Sequence, residues 1–148
     1  MKVLFVCVAN ASRSQVAQAL FDQLSSHQSN HQSESAGTRA DEIVRSSGLP
    51  SPRLKDGPRQ WSVEYLKQQG MDISENLRKQ LTPEMVERAD KVIVMAEGHT
   101  WPEFLSNSDK VTVWDSPDPA ELPEGVPVAF AVFDRIKQRV EQLVQEIG

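Results

Sequence analysis

Short apolar runs alternate along the chain with longer stretches in which apolar residues recur every three or four positions. From Lys2 to Val6 the run is almost continuously apolar, which suits a strand buried on both faces. Over residues 13–26, Val16, Ala17, Leu20, Phe21 and Leu24 form a helical stripe. Ser33 to Ala36 reads as a short strand closed by a turn at Gly37. The stretch from Thr38 to Pro58 is rich in Ser, Gly, Pro and charge, and predicts a long loop with room for one helical turn. Ser62 is expected to cap a helix that runs to Gln69 and stops at Gly70. Thr82-Pro83-Glu84 combines a capping hydroxyl, a proline at the first helical position and an acid in the first turn, so a helix starts there. Lys91 to Met95 is a second buried strand, and Lys110 to Val113 a shorter one. The clearest helix runs from Val126 to Gly148, with Val128, Val132, Phe133, Ile136, Val140, Leu143, Val144 and Ile147 on one face and the charges on the other.

Four strands alternating with helices predict an α/β fold with a parallel sheet covered on both sides. No repeat divides the chain, and its 148 residues match one average domain, so residues 1–148 are read as a single unit. The 39% hydrophobic and 25% charged composition is ordinary for a globular protein and excludes a disordered or fibrous one. Sixteen basic against 21 acidic residues leave a formal charge of −5, which argues against a basic face for nucleic acid or anionic membrane. The N-terminal run resembles the apolar core of a secretion signal, but it leads straight into Asn10, Ser12, Arg13 and Ser14, a poor cleavage site. It is therefore read as a strand, and the protein as cytoplasmic. A single cysteine excludes an internal disulfide and any cysteine-rich metal site. All thiol chemistry rests on Cys7.

Cys7 opens the segment Cys7-Val8-Ala9-Asn10-Ala11-Ser12-Arg13-Ser14, where the first strand gives way to the first helix at the carboxyl edge of the sheet. Ligands bind at that edge in such folds. Backbone amides of a strand-to-helix turn converge on one point, and the helix dipole adds partial positive charge there. Such a cradle favours a thiolate over a thiol, giving a nucleophile near neutral pH. Arg13 stands at the helix start, where its planar fork can pair two oxygens of a phosphate-like ligand. Ser14 can donate a hydrogen bond to the sulfur. A cysteine at a strand end is ordinarily a small buried hydrophobe. The buried strand before it, the small and polar loop and the amphipathic helix after it point instead to catalysis or oxyanion binding.

The motif Cys7-x-x-Asn10-x-x-Arg13-Ser14 resembles the signature loop of the low-molecular-weight protein tyrosine phosphatases and of their sister branch, the arsenate reductases of the same fold. The likeness continues through Ser35-Ala36-Gly37-Thr38, Gly70-Met71-Asp72-Ile73-Ser74, Gln80-Leu81-Thr82 and Ala89-Asp90-Lys91-Val92-Ile93-Val94-Met95 to Asp115-Ser116-Pro117-Asp118-Pro119, almost the whole chain in order. The resemblance implies a flavodoxin-like, four-stranded parallel sheet. It implies Cys7 as nucleophile, Arg13 as oxyanion clamp, Ser14 as thiolate partner, Asn10 as the residue that shapes the loop, and Asp118 as general acid. Val8, Ala9, Asn10, Ala11, Ser12 and Ser14 would form the substrate cradle. Chemistry asks independently for the acid, because the leaving oxygen needs a proton and the phosphocysteine then needs a base. Pro119 holds Asp118 out of helical geometry; Asp115 is the second candidate.

Several positions depart from the family pattern. Phosphatase members continue the aspartate loop into aromatic residues that sandwich phosphotyrosine, whereas Ala120, Glu121 and Leu122 follow Pro119. Ser12 replaces the second cysteine that many members carry beside the signature arginine. Ala96 stands where an acid often follows Met95, and Asn76 where many members have a histidine bracing the loop asparagine. Arg39, Trp61 and Trp101 are candidates for the site rim. His27 and His31 are read as solvated, His99 as a surface residue, and the acids of the last helix as a solvated face. The leading expectation is a cofactor-free, metal-free phosphomonoester hydrolase acting on phosphoproteins, foremost phosphotyrosine, or on small phosphomonoesters. Arsenate reduction coupled to an external thiol and a glutaredoxin-like partner is the alternative, since no further cysteine can pass on an oxidation. A phosphotransfer carrier is disfavoured by Arg13 and Asp118, and a non-catalytic binder by Cys7.

Overall fold

The structure, a computed structural model, describes residues 1–28, 30–122 and 125–148. Four strands, β1 (Lys2–Cys7), β2 (Gln32–Gly37), β3 (Lys91–Val94) and β4 (Val111–Val113), form one sheet in the order β2-β1-β3-β4. Every neighbouring pair is parallel. Around it lie α1 (Arg13–Leu24), α2 (Ala40–Ser46), α3 (Trp61–Gln68), α4 (Pro83–Arg88), α5 (Glu103–Ser106) and α6 (Val126–Ile147). The expected α/β architecture is confirmed. Among the described residues, no helix is long and apolar enough to cross a membrane.

β1 lies at the centre, and Val3 through Val6 are fully buried because both faces of the sheet are covered. Successive residues point to opposite sides. Val3, Phe5 and Cys7 therefore join Val16, Leu20 and Phe21 of α1 and Phe133, Ile136 and Val140 of α6. Leu4 and Val6 join Val92, Val94, Val86 of α4 and Leu105 of α5. On the first side Phe5 meets Phe21 edge-on at 5.7 Å between ring centroids and Trp114 at 6.0 Å. Burying each such side chain stabilises the fold by roughly 1.5–3 kcal/mol.

Four local expectations are corrected. Residues 38–58 hold a seven-residue helix, α2, and a 3₁₀ turn at Leu54–Asp56 rather than a loop with one turn. Ser62 does not cap α3: Gln60 occupies the cap, and Ser62 is buried inside the helix with its hydroxyl donated to Ala11 O at 2.6 Å. The acids of α6 are not all merely solvated. Asp134 accepts the Tyr65 hydroxyl at 2.7 Å, and burial together with that carboxylate pushes the phenol upward. His31 is half-buried, its ring 6.3 Å from Phe21, whereas His27 and His99 are exposed as expected. The cap at Thr82 holds, its hydroxyl accepting from Met85 N at 3.4 Å.

β1 feeds α1 and then β2 on one side, while β3 lies on the other. The C-terminal end of β1 is thus the point where strand order reverses, the place where open α/β sheets bind ligands.

Candidate active site

Residues 8–12 link β1 to α1 across this edge, and Gly37 at the end of β2 supports them. A β-carbon at Gly37 would lie 2.5 Å from Val8 O and 2.8 Å from Asn10 N, so only glycine lets the loop rest there. Two backbone bonds secure the contact: Thr38 N donates to Cys7 O and Arg39 N to Val8 O, each at 2.9 Å.

Asn10 takes the left-handed conformation with φ of 53°, which asparagine tolerates better than most residues. Its buried amide is fully satisfied. Nδ2 donates to Ser14 Oγ (2.7 Å) and Ser35 Oγ (3.1 Å), while Oδ1 accepts from Gln15 Nε2 (3.0 Å) and Lys79 N (2.9 Å). Asn76 does not reach it. That side chain donates to Gln15 Oε1 at 3.2 Å, so Gln15 is the brace in direct contact and Asn76 acts one step removed.

Cys7 is 1% exposed, with Sγ 3.0 Å from Ser14 Oγ. Since Ser14 Oγ already accepts from Asn10, its own hydrogen is available to the sulfur. No acidic residue lies in the first turn of α1, leaving the positive end of the helix dipole uncompensated beneath the loop.

Arg13 is equally buried and held along its outer side. Nη1 donates to Met95 O (2.6 Å), Ser116 O (2.8 Å) and Glu97 Oε2 (3.2 Å), and Nη2 to Glu97 Oε1 (3.1 Å). Nε is buried with no hydrogen-bond partner among the described residues. Burial opposes the charge, but Cys7, Glu97 and Asp118 outweigh it and hold the guanidinium above its ordinary range. Glu97 was not anticipated from the sequence. It lies one residue beyond Ala96 and supplies the acid that Ala96 lacks.

Asp118 sits 3.8 Å from Arg13 Nη2 through Oδ2 and accepts Ala120 N at 3.0 Å through Oδ1. It lines an open cleft of about 240 Å³ together with Ala9, Ala11 and Ser12 of the loop, Trp61 and Arg78. Asp115 is exposed and borders a different cavity beside Arg135 and Arg139. Of the rim candidates only Trp61 reaches the cleft. Trp101 packs on the opposite face of the sheet with Nε1 donating to Ala96 O, and Arg39 is exposed beside Glu42. Arg78 was not anticipated from the sequence; it is 9% exposed and lines the same cleft. It falls between α3 and α4, where no periodicity marks it.

A family model described as low molecular weight phosphotyrosine protein phosphatase matches residues 2–148. The probable low molecular weight protein-tyrosine-phosphatase EpsP of Ralstonia solanacearum is 39% identical over 93 residues, 63% of this chain and 54% of that protein, so the match spans about half the relative's length. An arsenate reductase of Halalkalibacterium halodurans is 26% identical over 146 residues, 97% of this chain and 91% of its own. Among solved structures, the low molecular weight protein tyrosine phosphatase of T. tengcongensis aligns over 99% of both chains with a TM-score of 0.75 and 27% identity. With a whole-chain family match and the fold to accompany it, this chain belongs to the low molecular weight phosphotyrosine protein phosphatase family, a family of hydrolases.

Proposed function

We propose that the protein hydrolyses phosphomonoesters, foremost phosphotyrosine on proteins, through a phosphocysteine formed on Cys7. The observation that carries this reading is the meeting of the Cys7 loop and Asp118 at one cleft, with the buried Arg13 3.8 Å from Asp118. In the proposed reaction the phosphoryl group enters the cradle of residues 8–12, its oxygens met by loop amides and Arg13 Nε. Cys7 Sγ attacks phosphorus, the P–O bond to the leaving group breaks, and Asp118 delivers the proton to the departing oxygen. Water then attacks the phosphocysteine, Asp118 takes its proton, and the thiolate leaves toward the Ser14 hydroxyl. Trp61 supplies an aromatic wall in place of the aromatics absent after Pro119, which supports an aryl substrate. Residues 1–148 act as one domain in this reading. A reducing compartment, the cytoplasm, suits a thiolate without a resolving cysteine.

Arsenate reduction is the second reading, favoured by the missing aromatics and by the arsenate reductase relative. Here Cys7 would form a thiol–arsenate adduct in the same cradle, and an external thiol would complete the reduction.

A leaving-group series on wild type and Asp118→Asn separates the two. For a phosphatase, the amide should slow phenolic esters by about a hundredfold or more and activated aryl esters much less, since the latter depart without a proton. Equal losses across the series would remove Asp118 from the acid role. Absence of hydrolysis from wild type, with arsenate consumed in the presence of added thiols, would favour the second reading.

A further inference from the structure

Arg78 is 9% exposed, yet among the described residues its side chain has neither an ion pair nor a hydrogen-bond partner, and its Nε is fully buried without one. Among the described residues, the hydrogen-bonded partner that usually accompanies a buried guanidinium is missing. Buried arginines are normally paired, because taking the charge out of water is costly unless an anion compensates it. Its backbone is fixed, with Arg78 N donating to Pro52 O at 2.9 Å. The guanidinium lies against Gly57, where a β-carbon would strike Nη2. The glycine makes room for the group in this position. Burial pulls its pKa down, and Cys7 is near enough to push it back up.

The side chain lines the cleft of Asp118 and the Cys7 loop, on a wall shared with Trp61 and with Arg59, whose guanidinium lies 5.4 Å from the Trp61 ring centroid. Asp118 and Glu121 also line the cleft, but neither pairs with Arg78. Resting on the phosphatase reading, we infer that Arg78 forms a subsite for a second anionic group, a carboxylate, carried by the substrate beside its phosphoryl group. The phosphoryl oxygens occupy the loop amides and Arg13, and the carboxylate completes the ion pair that the protein itself leaves unmade. The carboxylate can belong to a small phosphomonoester or to an acidic side chain flanking a phosphorylated tyrosine.

The test uses ligands that cannot be hydrolysed. Calorimetry should show a carboxybenzylphosphonate, tried as its meta and para isomers, binding wild type about tenfold more tightly than benzylphosphonate, as a charge-assisted pair would give. The preference should shrink in high salt, fall to about onefold in Arg78→Met, and be intermediate in Arg78→Lys, which keeps the charge without the fork. Phosphotyrosine peptides with Glu or Gln beside the tyrosine identify the source: a Glu preference in kcat/KM that Arg78→Lys weakens assigns it to a protein, and a preference confined to the small phosphonates assigns it to a small molecule. Equal binding of all the phosphonates to wild type overturns the subsite, and so does a preference that survives in both variants. If the variants do not fold, the wild-type ratio and its salt dependence still decide. A carboxylate preference without hydrolysis of any ester would leave the subsite standing and defeat the phosphatase reading.

Discussion

Cys7→Ser should abolish turnover, by at least about ten-thousandfold in kcat, as loss of a catalytic nucleophile does elsewhere. A serine hydroxyl is far less acidic than a thiol, and among the described residues the one hydrogen-bonded to position 7 is not placed to remove its proton: Ser14 Oγ, 3.0 Å from Sγ, already accepts from Asn10 and directs its hydrogen toward position 7. Anion binding should survive. In the proposed reaction the anion is held by backbone amides and Arg13 Nε, none of which the substitution removes. Steady-state assays with an aryl phosphate, paired with calorimetric binding of benzylphosphonate, check both halves. Hydrolysis near the wild-type rate would take the nucleophile role from Cys7.

Arg13→Lys should lower kcat by about a hundredfold or more, by comparison with removal of an oxyanion-stabilising donor. The reason lies in the number of partners. Arg13 satisfies Met95 O, Ser116 O and both oxygens of Glu97 with its two terminal nitrogens, while Nε remains for the ligand. One ammonium can serve the buried carbonyls or the phosphoryl oxygens but not both sets. Rates on an aryl phosphate, with circular dichroism to confirm folding, check this. A lysine variant that retains most of its activity would show that the charge, and not the fork, is what the site uses.

The parts of the site that were legible in the sequence are those encoded within a few residues. β1, the loop and α1 follow one another directly, so the apolar run, the small loop residues and the helical stripe could be read together. Asp118 was legible for a similar reason, lying between two prolines that set its backbone. Glu97 and Arg78 were not, because each enters the site through the sheet order and a loop crossing rather than through a local pattern. Glu97 meets Arg13 from 84 positions away. Ser62 was misplaced because its residue type suits a helix cap, whereas its hydroxyl is used to hold Ala11 O across 51 positions. For α2, Gly37 before and Gly48, Pro50 and Pro52 after Ala40–Ser46 masked a short helix that buries little more than Ala40 and so carries almost no apolar stripe.

The central claim is that Cys7 carries the phosphoryl group during turnover. Its most direct test is rapid-quench mass spectrometry of Asp118→Asn with an activated aryl phosphate, since loss of the base should slow hydrolysis of the intermediate and let it accumulate. The account predicts a mass increase of one phosphoryl group, about 80 Da, localised to the peptide containing Cys7, with a matching burst of released phenol. Hydrolysis that proceeds with no phosphorylated Cys7 at any time point, or phosphoryl transfer to a different residue, would contradict it.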